Sequence, residues 1–296
     1  MPYHLSHNSD MRNSPVAAPA IAANYEKDGY FFPYEVTSEA EAAGLLADFT
    51  AAEAEIGDDR ARLSLLRTYP AQLLPSFSGM IRHPRLVEAV SQIIGPDLLM
   101  WSCGFFIKEA GSRSYVSWHQ DLNYWGLDGD DEVTAWFALT PATIENGCMC
   151  FVPGSHRRKD VPHVDSFAPD NLLTRGQEIA VEVDEASAVN VLLRAGQASF
   201  HHGHMFHASG PNGTNSRRLG LAIRYLAPSM KQVSGDRLLV SHVSGEDRYG
   251  HFEIVPPPAG RLLAEDFDRA RRNADMKRGI LYRGVSPERI QESRRA

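Results

Sequence analysis

Leu98-Leu99-Met100-Trp101-Ser102-Cys103-Gly104-Phe105-Phe106-Ile107 is the stretch from which the chain begins to read as β. Apolar or β-branched runs like it recur at 114–118, 132–140, 147–152, 188–193, 197–201 and 217–226, punctuated by Pro, Gly, Asn or Asp. Seven or eight short strands in about 130 residues predict an all-β sandwich or barrel. One segment breaks the rhythm. Residues 153–186 are polar and carry Pro153, Pro162 and Pro169. A loop of that length inside a folded domain is usually functional, so it is expected to be a lid or binding loop.

Outward from the strands, the signals are helical. Tyr25-Glu-Lys-Asp-Gly-Tyr-Phe-Phe reads as a helix end, a Gly turn and a short strand. Ser38, with Glu39 and Glu41 behind it, opens an Ala/Leu-rich segment to about Ile56. Pro84–Ile94 fits a second helix, closed by Gly95-Pro96. Residues 262–278 look helical with mixed charge. Residues 1–22, rich in Asn, Ser, Pro and Ala without periodicity, are expected to be a flexible tail, and 23–296 a single domain with its barrel core at about 98–228.

Composition narrows the function classes. The chain is 43% hydrophobic and 23% charged with net charge −7, which fits a buried core and argues against a duplex nucleic-acid partner. No run of 18 apolar residues and no basic-then-apolar leader occurs, so no membrane span is predicted and a cytoplasmic location is expected. Cys103, Cys148 and Cys150 are too few and too odd in number for a disulfide framework. The partner expected is a small-molecule substrate, and the sequence specifies no oligomeric state.

The chemistry gathers in two segments. In Trp118-His119-Gln120-Asp121, strand alternation would put His119 and Asp121 on one face. An imidazole and a carboxylate are two ligands of a facial triad, whose third is a distant histidine. The second segment, His201-His202-Gly203-His204-Met205-Phe206-His207-Ala208-Ser209-Gly210-Pro211-Asn212, offers four histidines. His207 stands out because Ser209 follows it, then a Gly-Pro-Asn turn and a strand opening with Arg217 and Arg218. That turn is expected to return the chain antiparallel beside the strand it left, bringing Arg218 near the metal. A buried arginine there needs an anion, and a dicarboxylate would serve.

The ordered motifs resemble the phytanoyl-CoA dioxygenase family of iron/2-oxoglutarate oxygenases. They run from Asp28-Gly29-Tyr30 through His83-Pro84, Phe106-Ile107-Lys108, Trp118-His119-Gln120-Asp121-Leu122, Tyr124-Trp125, Ala135-Trp136, Asn146-Gly147-Cys148 and Pro153-Gly154-Ser155-His156 to His207-Ala208-Ser209-Gly210-Pro211-Asn212 and Arg218. The resemblance covers roughly Tyr25 to Pro228. It implies a mainly β, double-stranded β-helix (a jelly-roll, cupin-like barrel) flanked by α-helices. It implies Fe(II) held by His119, Asp121 and His207, with O2 and 2-oxoglutarate as cosubstrates and succinate as coproduct. It also implies Arg218 on the distal carboxylate of 2-oxoglutarate, the Ser209 hydroxyl assisting, and Trp136 beside the cosubstrate. Halogenases of the family replace the aspartate by a small residue; Asp121 is retained, which points to a hydroxylase.

Lys108 reads more readily as a surface residue than as a pocket one. Tyr124, Trp125 and the 153–176 loop are candidates for substrate contact; Tyr124 and Trp125 would line an apolar wall or cradle a cation, with ordinary barrel packing an equal alternative. The basic run His156-Arg157-Arg158-Lys159 reads first as a plain turn and second as an anion attractor. Two other classes stay open: a cupin-like metal-binding barrel or metalloenzyme not using 2-oxoglutarate, and a binding module with a vestigial metal site. The first leaves Arg218 and Ser209 without a role; the second would be supported by loss of a ligand or of Arg218, and neither is lost.

Overall fold

Ser38 at the head of an Ala/Leu-rich segment does what a capping serine should. Its Oγ accepts from the Glu41 backbone N–H while the Glu41 carboxylate takes the Ser38 N–H, so helix α2 spans Glu39–Ile56. The computed structural model describes residues 18–282 and Val285. Before α2 come α1 (Ala18–Asp28) and β1 (Tyr30–Glu35); after it come α3 (Arg60–Thr68), α4 (Pro70–Leu73), α5 (Pro75–Met80) and α6 (Pro84–Ile94). The expected tail to residue 22 is corrected at its end, since α1 starts at Ala18; residues 1–17 lie outside the described residues.

The β region follows with β2 (Leu98–Lys108), β3 (Val116–His119), β4 (Glu132–Ala138), β5 (Met149–Phe151), β6 (His163–Asp165), β7 (Gln177–Ile179), β8 (Val189–Asn190), β9 (Gln197–His201), β10 (His207–Ser209), β11 (Arg218–Leu226), β12 (Leu239–Ser244) and β13 (Glu253–Val255), then α7 (Ala264–Leu281). A seven-stranded sheet runs β1-β9-β4-β11-β2-β12-β13 and a four-stranded sheet runs β3-β10-β5-β8. Two sheets with non-sequential strand order, flanked by helices, make the jelly-roll that the sequence implied.

Alternation along β11 assigns the faces. Leu219, Leu221, Ile223 and Tyr225 join the cluster containing Leu66, Phe77 and Leu86 of the helical layer, and the Tyr225 hydroxyl donates to Ile81 O at 2.9 Å. Arg218, Gly220, Ala222 and Arg224 therefore face the other way. Ala222 packs with Trp136, Met149, Phe151 and Met205 between the two sheets. Gly220 is required there by contact: a Cβ would fall 1.7 Å from Cζ2 of Trp136. The indole lies against bare backbone.

Three expectations change. First, β11 pairs with β2 and β4 in the large sheet, not with β10. The segment after Ser209 crosses between sheets, and Asn212 Nδ2 holds it by donating to the carbonyls of Lys108, Glu109 and Ser216 at 3.1, 3.0 and 2.8 Å. Arg218 thus reaches the interior from the opposite wall. Second, 153–186 is not structureless: β6 and β7 pair antiparallel within it. Ser117 Oγ, at the root of β3, donates to Gln177 O and accepts from Asn171 Nδ2 at 2.8 Å. Third, β12 and β13 follow the barrel core and were not expected. Among the described residues no helix is long and apolar enough to cross a membrane.

Candidate metal centre

Registry places the two histidines. β10 lies antiparallel to β3 with His207 opposite His119, and their ring centroids are 4.0 Å apart. On β3, alternation sends Trp118 outward, where Nε1 donates to Glu185 Oε1 at 3.0 Å, and His119 inward, 3% exposed. Asp121 arrives differently from the sequence argument. β3 ends at His119, and Asp121 has helical dihedrals (φ −71°, ψ −48°) at the head of a 3-10 turn, Leu122–Tyr124. The turn, not shared strand facing, brings its carboxylate to the histidines. Gln120 fixes that turn: fully buried, its Nε2 donates to Arg158 O and His204 O, both at 2.8 Å.

His119, Asp121 and His207 are all buried, with one ligand atom from each within 4.8 Å of the others. His201, His202 and His204 are not in this group of three. The His201 ring lies 4.8 Å from that of His207, and those of His202 and His204 stack on each other at 5.5 Å. The donor set fits a divalent metal. His119 Nδ1 lies 2.9 Å from Ser117 O, and His207 Nδ1 lies 2.9 Å from Met205 O. A carbonyl only accepts, so each Nδ1 carries the hydrogen and each Nε2 presents a lone pair. His119 Nε2 then meets Asp121 Oδ1 at 3.3 Å, two acceptors face to face, which is the arrangement a cation resolves. Burial and the neighbouring His119 push His207 down to about 3, so it is neutral, as a ligand must be. Burial works to raise Asp121, but Arg224 and the two imidazoles hold it well below the carboxylate range.

A second chamber lies against the centre. Met149, His201, Ser209, Trp136 and Arg218 line it together with the three ligand candidates. Arg218 is 1% exposed; its Nε and Nη1 are enclosed and make no hydrogen bond among the described residues. Its guanidinium carbon sits 5.2 Å from the Trp136 ring, and burial lowers its pKa to about 10. An enclosed cation without a carboxylate calls for one from outside the chain. Lys108 corrects the surface reading: it is 0% exposed, and its Nζ donates to Ser209 Oγ at 2.7 Å and to the carbonyls of Gly147 and Gly210. Burial and Arg218 push it down to about 7.

Against the same ligand group, sharing Phe106, His119, Asp121 and Arg224 with that chamber, opens a cavity of about 770 Å³. Tyr124 and Trp125 line it as expected; Trp101, Phe106, Arg224 and residues of α7 line it unexpectedly. Trp125 stacks on Trp101 at 4.9 Å. Arg224 Nε is 3.6 Å from Asp121 Oδ2. Strand alternation six residues on from Arg218 was the signal that could have found it. The basic run after Ser155 is spent within the protein: His156 and Arg157 bond Glu26 O, Arg158 lies over Phe206, and Lys159 pairs with Asp130.

Comparison with known proteins agrees with this geometry. Residues 25–220 match the phytanoyl-CoA dioxygenase (PhyH) family. The chain is 26% identical over 161 residues to a probable alpha-ketoglutarate-dependent hypophosphite dioxygenase of Stutzerimonas stutzeri, covering 53% of this chain and 55% of that protein. It is 27% identical over 161 residues to the ectoine dioxygenase of Bordetella parapertussis, covering 48% and 51%. The matches thus span about half the length of these curated relatives. Among solved structures, a non-heme monooxygenase, ThoJ in its apo form, superposes with a TM-score of 0.78 at 34% identity, covering 93% of this chain and 99% of that one. The chain belongs to the phytanoyl-CoA dioxygenase family.

Proposed function

We propose that this chain hydroxylates a small organic substrate while converting 2-oxoglutarate to succinate and CO2. The observation that carries the reading is the juxtaposition of three buried ligand candidates with a buried arginine that has no carboxylate partner among the described residues. Fe(II) would be held by His119 and His207 through Nε2 and by Asp121 through its carboxylate, leaving three positions open. Once bound, the metal and cosubstrate supply with O2 the oxidising power that breaks an unreactive C–H bond.

The chain's own residues do the rest. Arg218 would take the distal carboxylate in a charge-assisted pair. Ser209 Oγ accepts from Lys108, so its own hydrogen is free to donate to the same carboxylate. Trp136, against Gly220, fixes the wall on which the guanidinium rests. The aromatic lining of the adjoining cavity excludes water from the reacting carbon. Asp121 fills the position a halide would need and balances part of the metal charge, which favours hydroxylation over halogenation.

The test is a titration of 2-oxoglutarate into anaerobic Fe(II)-loaded protein, followed by a succinate-release screen against small acids, amines, phosphonates and lipids. Binding that disappears in His119→Ala and Arg218→Met, with substrate-stimulated succinate, is expected. Failure to bind 2-oxoglutarate would overturn the reading.

A further inference from the structure

The 770 Å³ cavity carries a charge imbalance that says what it takes. Arg67 in its wall pairs with Glu53 at 2.7 Å, Arg271 with Asp268 at 2.8 Å and Arg278 with Asp275 at 3.2 Å. Two basic side chains are left, Arg224 and Lys277, and burial together with Arg224 pushes Lys277 down to about 7, so Arg224 is the standing charge. Lys277 Nζ donates only to the carbonyl of Trp101, at 2.6 Å. Arg224 makes no hydrogen bond among the described residues, although its side chain is 15% exposed, and its nearest carboxylate is Asp121 at 3.6 Å. In the functional reading above, Asp121 is committed to the metal. The charges of Fe(II) and Arg218 are then matched by Asp121 and the two carboxylates of 2-oxoglutarate. Arg224 remains unmatched, in an aromatic pocket where an unpaired cation is costly.

The aromatic walls do not invite another cation. Their π faces are already taken: Arg224 lies 5.4 Å from the Trp125 ring centroid and Lys277 Nζ 4.3 Å from that of Trp101. A cationic substrate sliding against this stack would meet the Arg224 charge on one side and the Lys277 amine on the other. An anion meets opposite charge and an apolar surface together, within a volume typical of small-molecule sites.

We propose that the substrate is a small-molecule carboxylate with an apolar body, its carboxylate received by the Arg224 guanidinium and its body lying along Trp101 and Trp125. This rests on the Fe(II)/2-oxoglutarate reading only for the commitment of Asp121. Arg224 becomes a substrate-binding residue, and Lys277 on α7 reinforces the field.

The test uses three probes of one skeleton: 4-phenylbutyrate, 4-phenylbutyramide and 4-phenylbutylamine. Binding is followed on anaerobic Fe(II)/2-oxoglutarate-loaded protein by the visible charge-transfer band and, separately, by quenching of tryptophan fluorescence. A hydrogen bond to a charged group contributes about 1.5–3 kcal/mol, so the carboxylate should bind about tenfold or more tighter than the amide, and tighter still than the amine. Arg224→Gln should bring the acid-to-amide ratio to near one, and Arg224→Lys should restore part of it. Absence of carboxylate binding, equal or tighter binding of the amide or amine, or a ratio unchanged in Arg224→Gln each overturns the proposal. So does a loss of 2-oxoglutarate affinity in Arg224→Gln as large as that in Arg218→Met with the probe ratio intact, since Arg224 would then serve the cosubstrate. Should Arg224→Gln fail to fold, the ratio in the unmodified protein still decides. If no 2-oxoglutarate band forms, the iron reading fails, while the fluorescence ratio on the same protein still tests the carboxylate site.

Discussion

Replacing Arg218 by Met separates a binding role from a structural one, because the two predict opposite signs. The guanidinium is 1% exposed, without a hydrogen bond among the described residues, and rests 5.2 Å from Trp136. If it exists for the fold, its loss removes packing and a cation–π contact and should destabilise. If it exists for the distal carboxylate of 2-oxoglutarate, the unliganded protein carries an uncompensated buried charge. An apolar residue of similar length then leaves stability unchanged or raises it, by about 1–4 kcal/mol where buried charges have been replaced by well-packed apolar groups. The cosubstrate tells the other half. Truncating one partner of a buried charged pair costs about 2–5 kcal/mol, roughly 30-fold to several-thousand-fold in Kd. The assay is 2-oxoglutarate titration of anaerobic Fe(II)-loaded protein, beside urea unfolding of the metal-free protein. A Kd within threefold of the unmodified protein refutes the carboxylate role. Stability lost by several kcal/mol refutes the argument from the unpaired charge.

Other outcomes follow from single contacts. His207→Gln should flatten the acid dependence of stability. The unfolded chain takes up a proton from 6.5 downward that folded His207 refuses until about 3, so stability falls as pH drops through that window. One such proton accounts for up to ~1.4 kcal/mol per pH unit, and urea midpoints between pH 7 and 5 with equal slopes in both proteins would contradict it. Gly220→Val drives a side chain into Trp136; about 1–3 kcal/mol of lost stability is expected from overpacking, with weaker 2-oxoglutarate binding, and a neutral effect on both would show that the indole has room to move. Arg175 Nη1 donates to Leu281 O at 2.7 Å, and its guanidinium pairs with Asp165, tying the 153–186 segment to α7. Arg175→Ala should speed limited proteolysis within that segment, measured against unchanged cleavage elsewhere. Finally, mass spectrometry of product formed with chloride present should show a gain of one oxygen derived from O2; chlorine incorporation by the unmodified protein would defeat the Asp121 argument.

The barrel strands were legible because local pattern decides them, whereas the three ligand candidates were named from several motifs in order along the chain. Runs of alternating or continuous apolar residues set β2, β4 and β11, and the capping box set the start of α2. What stayed hidden depends on contacts distant in sequence. Asp121 was named from strand alternation, yet a turn held by the buried amide of Gln120 delivers it. Arg218 was placed beside β10, yet crosses to the facing sheet because Asn212 captures three carbonyls. Lys108 looks like any strand-end lysine until its register opposite Arg218 buries it. Arg224 was readable from Arg218 by counting in twos, but only once Arg218 is known to face inward.

Chemistry and selectivity also divide along the chain. The three ligand candidates, Ser209 and Arg218 all fall within the family match at 25–220. Arg224 and Lys277, basic side chains lining the large cavity, fall beyond it. So does α7, whose Lys277 reaches the Trp101 carbonyl and whose Leu281 carbonyl receives Arg175 of the lid segment. A barrel that keeps its metal and cosubstrate sites while varying the strand end and helix that roof the cavity can change substrate without disturbing the oxidising chemistry. Relatives named for hypophosphite and ectoine match the chain over about half their length. The segment after residue 220 is therefore where exchange between relatives should move substrate preference. Replacement of His119 or Asp121 by Ala should instead abolish turnover of any substrate.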